Sequence, residues 1–390
     1  MRPPCSIRVM PMLLAVALLL TACVAQPPAK PVNSSLPAQG EAPVPGRDES
    51  PPVPPPVAAQ PSAPPISSDL VNRLDAAAWQ LDAVAPLLPP VEGQYQPTGE
   101  EPNFIEYAYA GGALRLYTSP EGGRVFAILV DLSTYAGFGA ITSSDHYTVV
   151  EAAPYLVILR SEPLDEAAFA TVSARSWSMG ELRSRYGEPS HRQHLHGIGG
   201  PLYTYVPQGL AFFPDGQDSF HLIDPKRLPG PDHTRPVPTF DEYRRDYAGG
   251  LSAVGRKLAA TLAGAKTAMT QGRPSPDGRY RVANVHRGGY WGDWLYIQRP
   301  GKAEVRVNPT YSVQAYEWLD DHRLVYVTGL PLGERYPVTV IDVETGRQGA
   351  AAVLPCPAGR TLQGFGVVNS GQLWYQLDDG VRREVLVTGP

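Results

Sequence analysis

Apolar residues recur at helical spacing near residue 70 and then give way to strand-like alternation. Leu70 and Leu74 lie on one face of a predicted helix that begins at Ser68 and ends at Pro89-Pro90. Runs rich in β-branched and aromatic residues follow, separated by glycine-containing turns. This pattern predicts one helix followed by a meander of strands at 104–109, 113–117 and 124–132.

The same order of elements recurs further along the chain. Ser178 and Glu181 form a capping box, which marks the start of a helix that closes at Gly187 and Pro189. Strands are predicted at 202–206, 210–213 and 219–223. Equal spacing predicts that the two units are an internal duplication. Its pairs are Tyr107 with Tyr203, Tyr109 with Tyr205, and Leu114 with Leu210.

Beyond the second unit the pattern changes twice. Residues 225–273 are predicted to be a linker followed by helices, with a capping box at Thr239 and Glu242 and a break at Gly249-Gly250. In 274–390, short strands, among them 281–286 and 323–328, are joined by Asp-Gly or Ser-Gly turns. The predicted fold class is therefore α+β, with a duplicated helix-plus-antiparallel-meander region at 68–224. An all-β, propeller-like region of about three short sheets follows it.

Two segments of the last region carry a family resemblance. Ser-Pro-Asp-Gly at 275–278, just before a strand, and the Val-Thr-Val-Ile-Asp-Val-Glu-Thr-Gly segment at 338–346 resemble blades of TolB-like and related β-propellers. Closed propellers have about four to eight blades, more than this spacing allows. An open fragment, a small propeller-like array and completion by a partner all stay open as alternatives.

The first residues have the layout of an export signal. Arg2 and Arg8 precede an almost wholly apolar stretch from Met10 to Leu20, which is too short to span a membrane. Leu20-Thr21-Ala22-Cys23 resembles the lipobox of bacterial lipoproteins. That resemblance implies removal of residues 1–22 and lipid on Cys23, with an ordinary signal peptide as the alternative. We expect a lipid-anchored, extracytoplasmic protein on the cell membrane or outer membrane.

Proline, alanine, valine, serine and glutamine dominate the next segment. Pro51-Pro52 and Pro54-Pro55-Pro56 lie at its centre, and such a composition favours extended polyproline geometry over a packed core. Residues 23–67 are therefore predicted to be a lipidated, disordered tether that gives the folded part reach from the membrane.

Charge and cysteine content exclude some classes of function. The formal net charge is −5 and no cluster of lysine and arginine stands out, so no nucleic acid is expected as a partner. Cys5 leaves with the signal and Cys23 carries lipid, which leaves Cys356 alone and excludes an intrachain disulfide. A buried or inert thiol is expected at Cys356, and a reactive thiol is the alternative.

The second unit also resembles a known design. Tyr186-Gly187-Glu188-Pro189 followed by Tyr203-x-Tyr205 and Leu210-x-Phe212 is similar to the small helix-plus-meander domains of several bacterial envelope lipoproteins. Accessory lipoproteins of outer-membrane assembly and tandem-repeat beta-lactamase inhibitor proteins share this design. Known members bind other proteins, so the resemblance implies a binding module with a protein partner in the envelope.

Candidate catalytic groups are few. His191, His194 and His196 form the densest set of metal-ligating residues, but a polar loop before a strand is the preferred interpretation. The pairs Asp320-Asp321 and Asp378-Asp379 fall where hairpins should turn. The common nucleophile, phosphate-binding and metalloprotease motifs are absent from the sequence. We therefore expect no cofactor, no metal and no catalysis.

One aromatic segment is a candidate ligand site. Tyr290 and Trp291 lie in a glycine-containing loop and Trp294 begins the next strand, so the rings are predicted to contact a ligand or peptide. Aromatic residues that fill the space between sheets are the alternative. The favoured function is a non-enzymatic binding or scaffold lipoprotein. An envelope hydrolase or carbohydrate-active enzyme with its site in the C-terminal β region, and an envelope sensor, are the alternatives.

Overall fold

The computed structural model describes residues 69–96, 103–121, 123–134, 141–195, 200–216, 218–224, 237–286, 293–307, 313–329, 335–357 and 360–387. The predicted signal peptide, Cys23 and the tether lie outside the described residues, as do Tyr290 and Trp291. None of the described helices combines the length and apolar character that a membrane crossing requires.

The first unit is an antiparallel sheet with two short helices packed on it. Leu70 and Leu74 of the first helix are buried against Tyr109 and Leu116 of the sheet. The elements of the unit are α1 (Asp69–Ala76), α2 (Leu81–Val84), β1 (Gly93–Tyr95), β2 (Ile105–Tyr109), β3 (Leu114–Thr118), β4 (Val125–Asp131), β5 (Tyr147–Ala152) and β6 (Tyr155–Arg160). The sheet order is β1-β2-β3-β4-β6-β5.

The helix predicted to run on to Pro89-Pro90 is interrupted, which corrects the sequence analysis. Ala78 and Trp79 have positive φ angles of 49° and 62° between α1 and α2. The Trp79 ring is 2% exposed and packs in the core beneath the helices. Burial of this large ring offsets the cost of the left-handed backbone, which a continuous helix could not adopt.

The second unit also places helices on an antiparallel meander. The capping box at Ser178 and Glu181 is present, with both reciprocal hydrogen bonds formed. The sequence analysis missed an earlier helix, which Asp165 caps by accepting a hydrogen bond from Ala168 N at 2.7 Å. The elements are α3 (Glu166–Ser173), α4 (Met179–Tyr186), β7 (His191–Leu195), β8 (Gly200–Tyr205), β9 (Leu210–Pro214) and β10 (Phe220–Ile223). The sheet order is β10-β9-β8-β7.

The matching residues of the two units occupy similar positions in their sheets. Tyr109 pairs with Leu114 across β2 and β3, and Tyr205 pairs with Leu210 across β8 and β9. Both pairs contribute to the core on the helix-covered face of their own sheet. The two meanders therefore share strand register and the face they bury. The next pairs along the same strands also correspond: Tyr107 with Leu116, and Tyr203 with Phe212.

A long helix, α5 (Phe240–Thr270), connects the second unit to the C-terminal region. It begins at the predicted capping box but continues through Gly249-Gly250, where a break was expected. Leu251, Ala259 and Leu262 are buried against β4, β5 and β6. Packing of this face on the sheet outweighs the roughly 1 kcal/mol that each glycine costs a helix.

The C-terminal region forms three small antiparallel sheets within the described residues. This arrangement confirms the predicted series of short sheets. Cys356 is buried in the core between the second and third sheets, and burial raises the pKa of its thiol. The first sheet holds β11 (Arg273–Pro274), β12 (Arg281–His286), β13 (Asp293–Arg299) and β14 (Lys302–Val307). The second holds β15 (Val313–Trp318), β16 (Arg323–Thr328), β17 (Arg335–Asp342) and β18 (Gln348–Pro355), and the third holds β19 (Leu362–Asn369), β20 (Gln372–Leu377) and β21 (Arg382–Leu386).

Candidate binding cleft

A small polar cleft, open to solvent on one side, lies where the first and second units meet. We call it the Arg124 cleft. The turn before β4 and the end of β6 line its first-unit side. The end of α4 and the segment that follows line the opposite side. Its polar lining residues are Ser119, Arg124, Arg160, Tyr186, Glu188, Ser190 and Gln208.

Arg124 is placed by the turn between β3 and β4. Its backbone forms an isolated antiparallel bridge with Gln80, and its carbonyl accepts a hydrogen bond from Ser119 N at 3.4 Å. The side-chain Nε donates to the Ala78 carbonyl, also at 3.4 Å, which is a long hydrogen bond. Among the described residues, no carboxylate lies within ion-pair distance of Arg124.

Arg160 ends β6, and its side chain is 4% exposed. It contacts the Glu162 carboxylate, which also accepts a hydrogen bond from Gln208 Nε2. Burial, together with the positive charge of Arg124, lowers the pKa of the Arg160 guanidinium to about 10. Burial also lowers the pKa of Arg124. Arg160 is compensated by Glu162, whereas Arg124 has no carboxylate partner among the described residues.

The Tyr186-Gly187-Glu188-Pro189 motif supplies the second-unit side of the cleft. Gly187 ends α4 with a φ of 79°, and a Cβ built on it would lie 3.1 Å from Arg124 Nη1. Glycine suits this position for two reasons: it adopts the positive φ angle, and it has no side chain to block the close approach of the guanidinium. Glu188 is turned toward Arg183, whose Nε donates to Oε2 at 2.8 Å. Ser190 Oγ accepts a hydrogen bond from Val206 N at 3.0 Å.

Sequence analysis singled out the motif but not the two arginines. Arg124 follows a glycine turn and Arg160 ends an apolar strand, and each reads in the sequence as an isolated surface charge. The one sequence signal for Arg160 is its position directly after the apolar run 155–159. The structure buries all five residues of that run. Nothing local marked Arg124, because its neighbours in the cleft come from a distant part of the chain.

The predicted aromatic ligand site is not supported at Trp294. This ring is 3% exposed and lies in a core with Tyr296, Ala265 and Met269. Strand alternation places Trp294 and Tyr296 on the same face, as predicted, but α5 covers that face. Trp294 is therefore corrected from a ligand contact to a core residue. Tyr290 and Trp291 lie outside the described residues.

The histidine and aspartate candidates have structural surroundings. His191 lies in β7, and burial followed by the charge of Lys257 lowers its pKa to about 4. No group of three or more potential metal ligands occurs in the described parts of the chain. His196 lies outside the described residues. Asp320 accepts hydrogen bonds from the backbone of His322 and Arg323 in a turn. Asp379 does the same for Val381, as expected for hairpin turns.

Comparison with known proteins does not assign a family. No protein-family model and no curated protein matches this chain. Among solved structures, a streptogramin B lyase is 10% identical, with 77% of this chain and 85% of that chain covered and a TM-score of 0.19. An AtxE2 isopeptidase variant with bound Astexin3-dC4 is 13% identical, with 72% and 39% covered and a TM-score of 0.20.

Proposed function

We propose that this chain is a lipid-anchored, extracytoplasmic binding or scaffold protein whose partner is another protein of the cell envelope. Lipid on Cys23 holds it to the membrane, and residues 23–67 give the folded part its reach. The observation that carries the proposal is the Arg124 cleft. A partly buried arginine without an ion-pair partner in a cleft favours recognition of an anionic ligand, because the anion replaces the water that the guanidinium has lost.

The architecture around the cleft also supports a binding module. In this proposal the two helix-plus-meander units are duplicated copies, and the cleft lies where one copy meets the other. The three C-terminal sheets are propeller-like blades that brace the pair through α5. Two serines line the cleft, and the described residues of its lining include no histidine or cysteine beside them. Binding, carried by the arginines of the cleft, is the proposed activity.

Site-specific photo-cross-linking in intact cells tests this function. A photoreactive amino acid replaces Gln80, an exposed residue whose backbone pairs with that of Arg124 beside the cleft. The matched control replaces Arg279, which is 61% exposed before β12 in the C-terminal region. We expect a discrete cross-linked protein from the Gln80 position and none from the control. Equal labelling at both positions, or no product at Gln80, contradicts the proposal.

The anchor has its own test. Cys23→Ala removes the thiol that would carry lipid, so we expect loss of metabolic fatty-acid labelling and a product that is unprocessed or freely soluble. Membrane fractionation and labelling measure both effects. A variant that is still cut at position 23 and still firmly membrane-bound would show that another anchor exists.

A further inference from the structure

We infer that the Arg124 cleft binds a carboxylate group, supplied by an acidic side chain or the C-terminus of the partner protein. This inference rests on the proposed binding function and adds the chemistry of its ligand. It follows from the missing ion pair at Arg124, from the hydrogen-bond donors that line the cleft and from the carboxylates already beside it.

One cation of the cleft has no direct ion-pair partner. Glu162 is engaged by Arg160 and Gln208, whereas Glu188 and Glu121 both lie beside Arg183. Arg124 has only the long contact to the Ala78 carbonyl and no ion pair with a described carboxylate. A guanidinium presents a planar fork of N–H donors that matches one carboxylate in a bidentate pair. A direct carboxylate partner for Arg124 is therefore what the cleft lacks.

Two hydroxyl groups add donors to the guanidinium groups. Ser190 Oγ uses a lone pair to accept from Val206 N, so its own hydrogen is left to donate. The Tyr186 hydroxyl is buried and donates to no acceptor among the described residues. Its polar neighbour is the Arg185 guanidinium, which is itself a donor and cannot accept that hydrogen. Such an excess of donors fits an anionic acceptor.

The carboxylates beside the cleft set the charge of the preferred ligand. Glu162 and Glu188 stay paired with their arginines but remain close to any bound group. A phosphate carries close to two negative charges at neutral pH, and its second charge would be repelled by these carboxylates. A monoanionic carboxylate matches Arg124 without that repulsion. The site thus favours carboxylate over phosphate.

The test measures binding to the purified full-length chain by calorimetry at low salt. Acetate is the minimal probe, and inorganic phosphate is its competitor. A peptide with a free C-terminus, an amidated peptide with an internal glutamate and the same amidated peptide with glutamine distinguish the sources of the carboxylate. We expect acetate and one of the two carboxylate peptides to bind, and the glutamine peptide and phosphate to bind more weakly.

Arg124→Gln is the decisive variant, since this side chain is only half-buried and makes no ion pair whose loss would unfold the chain. Loss of a charge-assisted hydrogen bond should weaken carboxylate binding by about tenfold or more. Arg279→Gln is the control and should bind as the unaltered chain does. The inference is overturned by undiminished binding to Arg124→Gln, by tighter binding of phosphate, or by no binding of any carboxylate.

The two proposals can fail separately. Cross-linking at position 80 without carboxylate binding would overturn the ligand chemistry and leave the binding function standing. Carboxylate binding by the purified chain without cross-linking in cells would overturn the protein partner, and the cleft would then be a site for a small carboxylate. Both measurements use the same chain, so the outcomes can be compared directly.

Discussion

Arg115 of β3 donates a hydrogen bond to Glu304 of β14 at 2.8 Å, and both side chains are buried. Arg115 also pairs with Glu106, while Arg306 Nη2 lies 2.8 Å from a Glu106 oxygen and 2.7 Å from a Glu304 oxygen. Two arginines and two glutamates thus neutralise one another between the first unit and the first C-terminal sheet. The four ion pairs fix how these regions join, because each charge depends on partners across the junction.

Glu304→Gln is expected to destabilise the chain strongly. The substitution leaves Arg115 and Arg306 buried with Glu106 as their remaining carboxylate, and an uncompensated buried charge costs about 3–5 kcal/mol. The free energy of unfolding, measured in urea, should fall by that amount. Arg360→Gln is the control, because Arg360 pairs with Asp378 at the surface. A Glu304→Gln midpoint equal to that of the control would show that the junction does not depend on these charges.

The free energy of unfolding should also depend on pH, because Glu106 and Glu304 titrate. Burial raises the pKa of Glu106 and Glu304, but the attraction of Arg115 and Arg306 is larger in sum and holds both values below the ordinary 4.5. The unfolded chain therefore binds more protons than the folded chain in this range. The contribution to stability is complete above pH 4.5 and is lost as the pH falls below it.

Urea unfolding between pH 7 and pH 3 measures this effect. The unaltered chain should lose stability steeply below pH 4.5, and Glu304→Gln should show a shallower decline because one of the titrating groups is gone. Parallel curves for the two proteins would mean that other carboxylates cause the acid sensitivity. The comparison thus isolates the buried cluster from the surface acids.

Two glycines of α5 provide a matched pair for helix packing. A Cβ at Gly255 would lie 3.0 Å from the Val150 side chain and 3.1 Å from that of Leu159, whereas a Cβ at Gly264 would meet nothing within 4 Å. Gly264→Ala should raise the free energy of unfolding by about 0.5–1 kcal/mol through helix propensity. Gly255→Ala should gain less, and Gly255→Val should lower stability by about 1–3 kcal/mol through overpacking. Thermal unfolding of the three variants tests this order, and a stabilising Gly255→Val would contradict it.

Strands with a clear turn signal were predictable from sequence. The residues predicted as strands at 281–286 and 323–328 are those of β12 and β16, because Asp-Gly and Asp-Asp turns fix where such strands begin. The hairpin of β5 and β6 was missed. Every residue of β6 is buried, so the strand lacks the polar alternation by which a half-buried strand is recognised.

The buried charges of the junction and the residues of the candidate cleft were much less predictable. Arg115 and Glu304 are 189 residues apart, and no local pattern shows that a charged residue on an alternating strand will be buried by a distant partner. The same holds for Arg124, whose surroundings depend on packing between two units. Sequence patterns indicate which face of an element is apolar, but the burial of single charges depends on long-range contacts.

A substitution at Trp294 tests whether this residue is part of the core or contacts a ligand. Its ring packs with Tyr296 beneath α5, so Trp294→Ala should open a cavity and lower the free energy of unfolding by about 3–5 kcal/mol. Trp294→Phe keeps most of the ring volume and should cost less. A Trp294→Ala protein of unchanged stability would restore the ligand-contact interpretation.

Trp291→Ala is the matched variant for that alternative. Trp291 lies outside the described residues and stays a predicted ligand contact. If its ring contacts a partner, Trp291→Ala should reduce cross-linking from position 80 or partner capture while the unfolding midpoint stays unchanged. Trp294→Ala should instead lower the unfolding midpoint. Its binding should be lost only under conditions in which the chain unfolds. Unaltered capture by Trp291→Ala at normal stability would remove the aromatic segment from the binding site and leave the Arg124 cleft as the candidate.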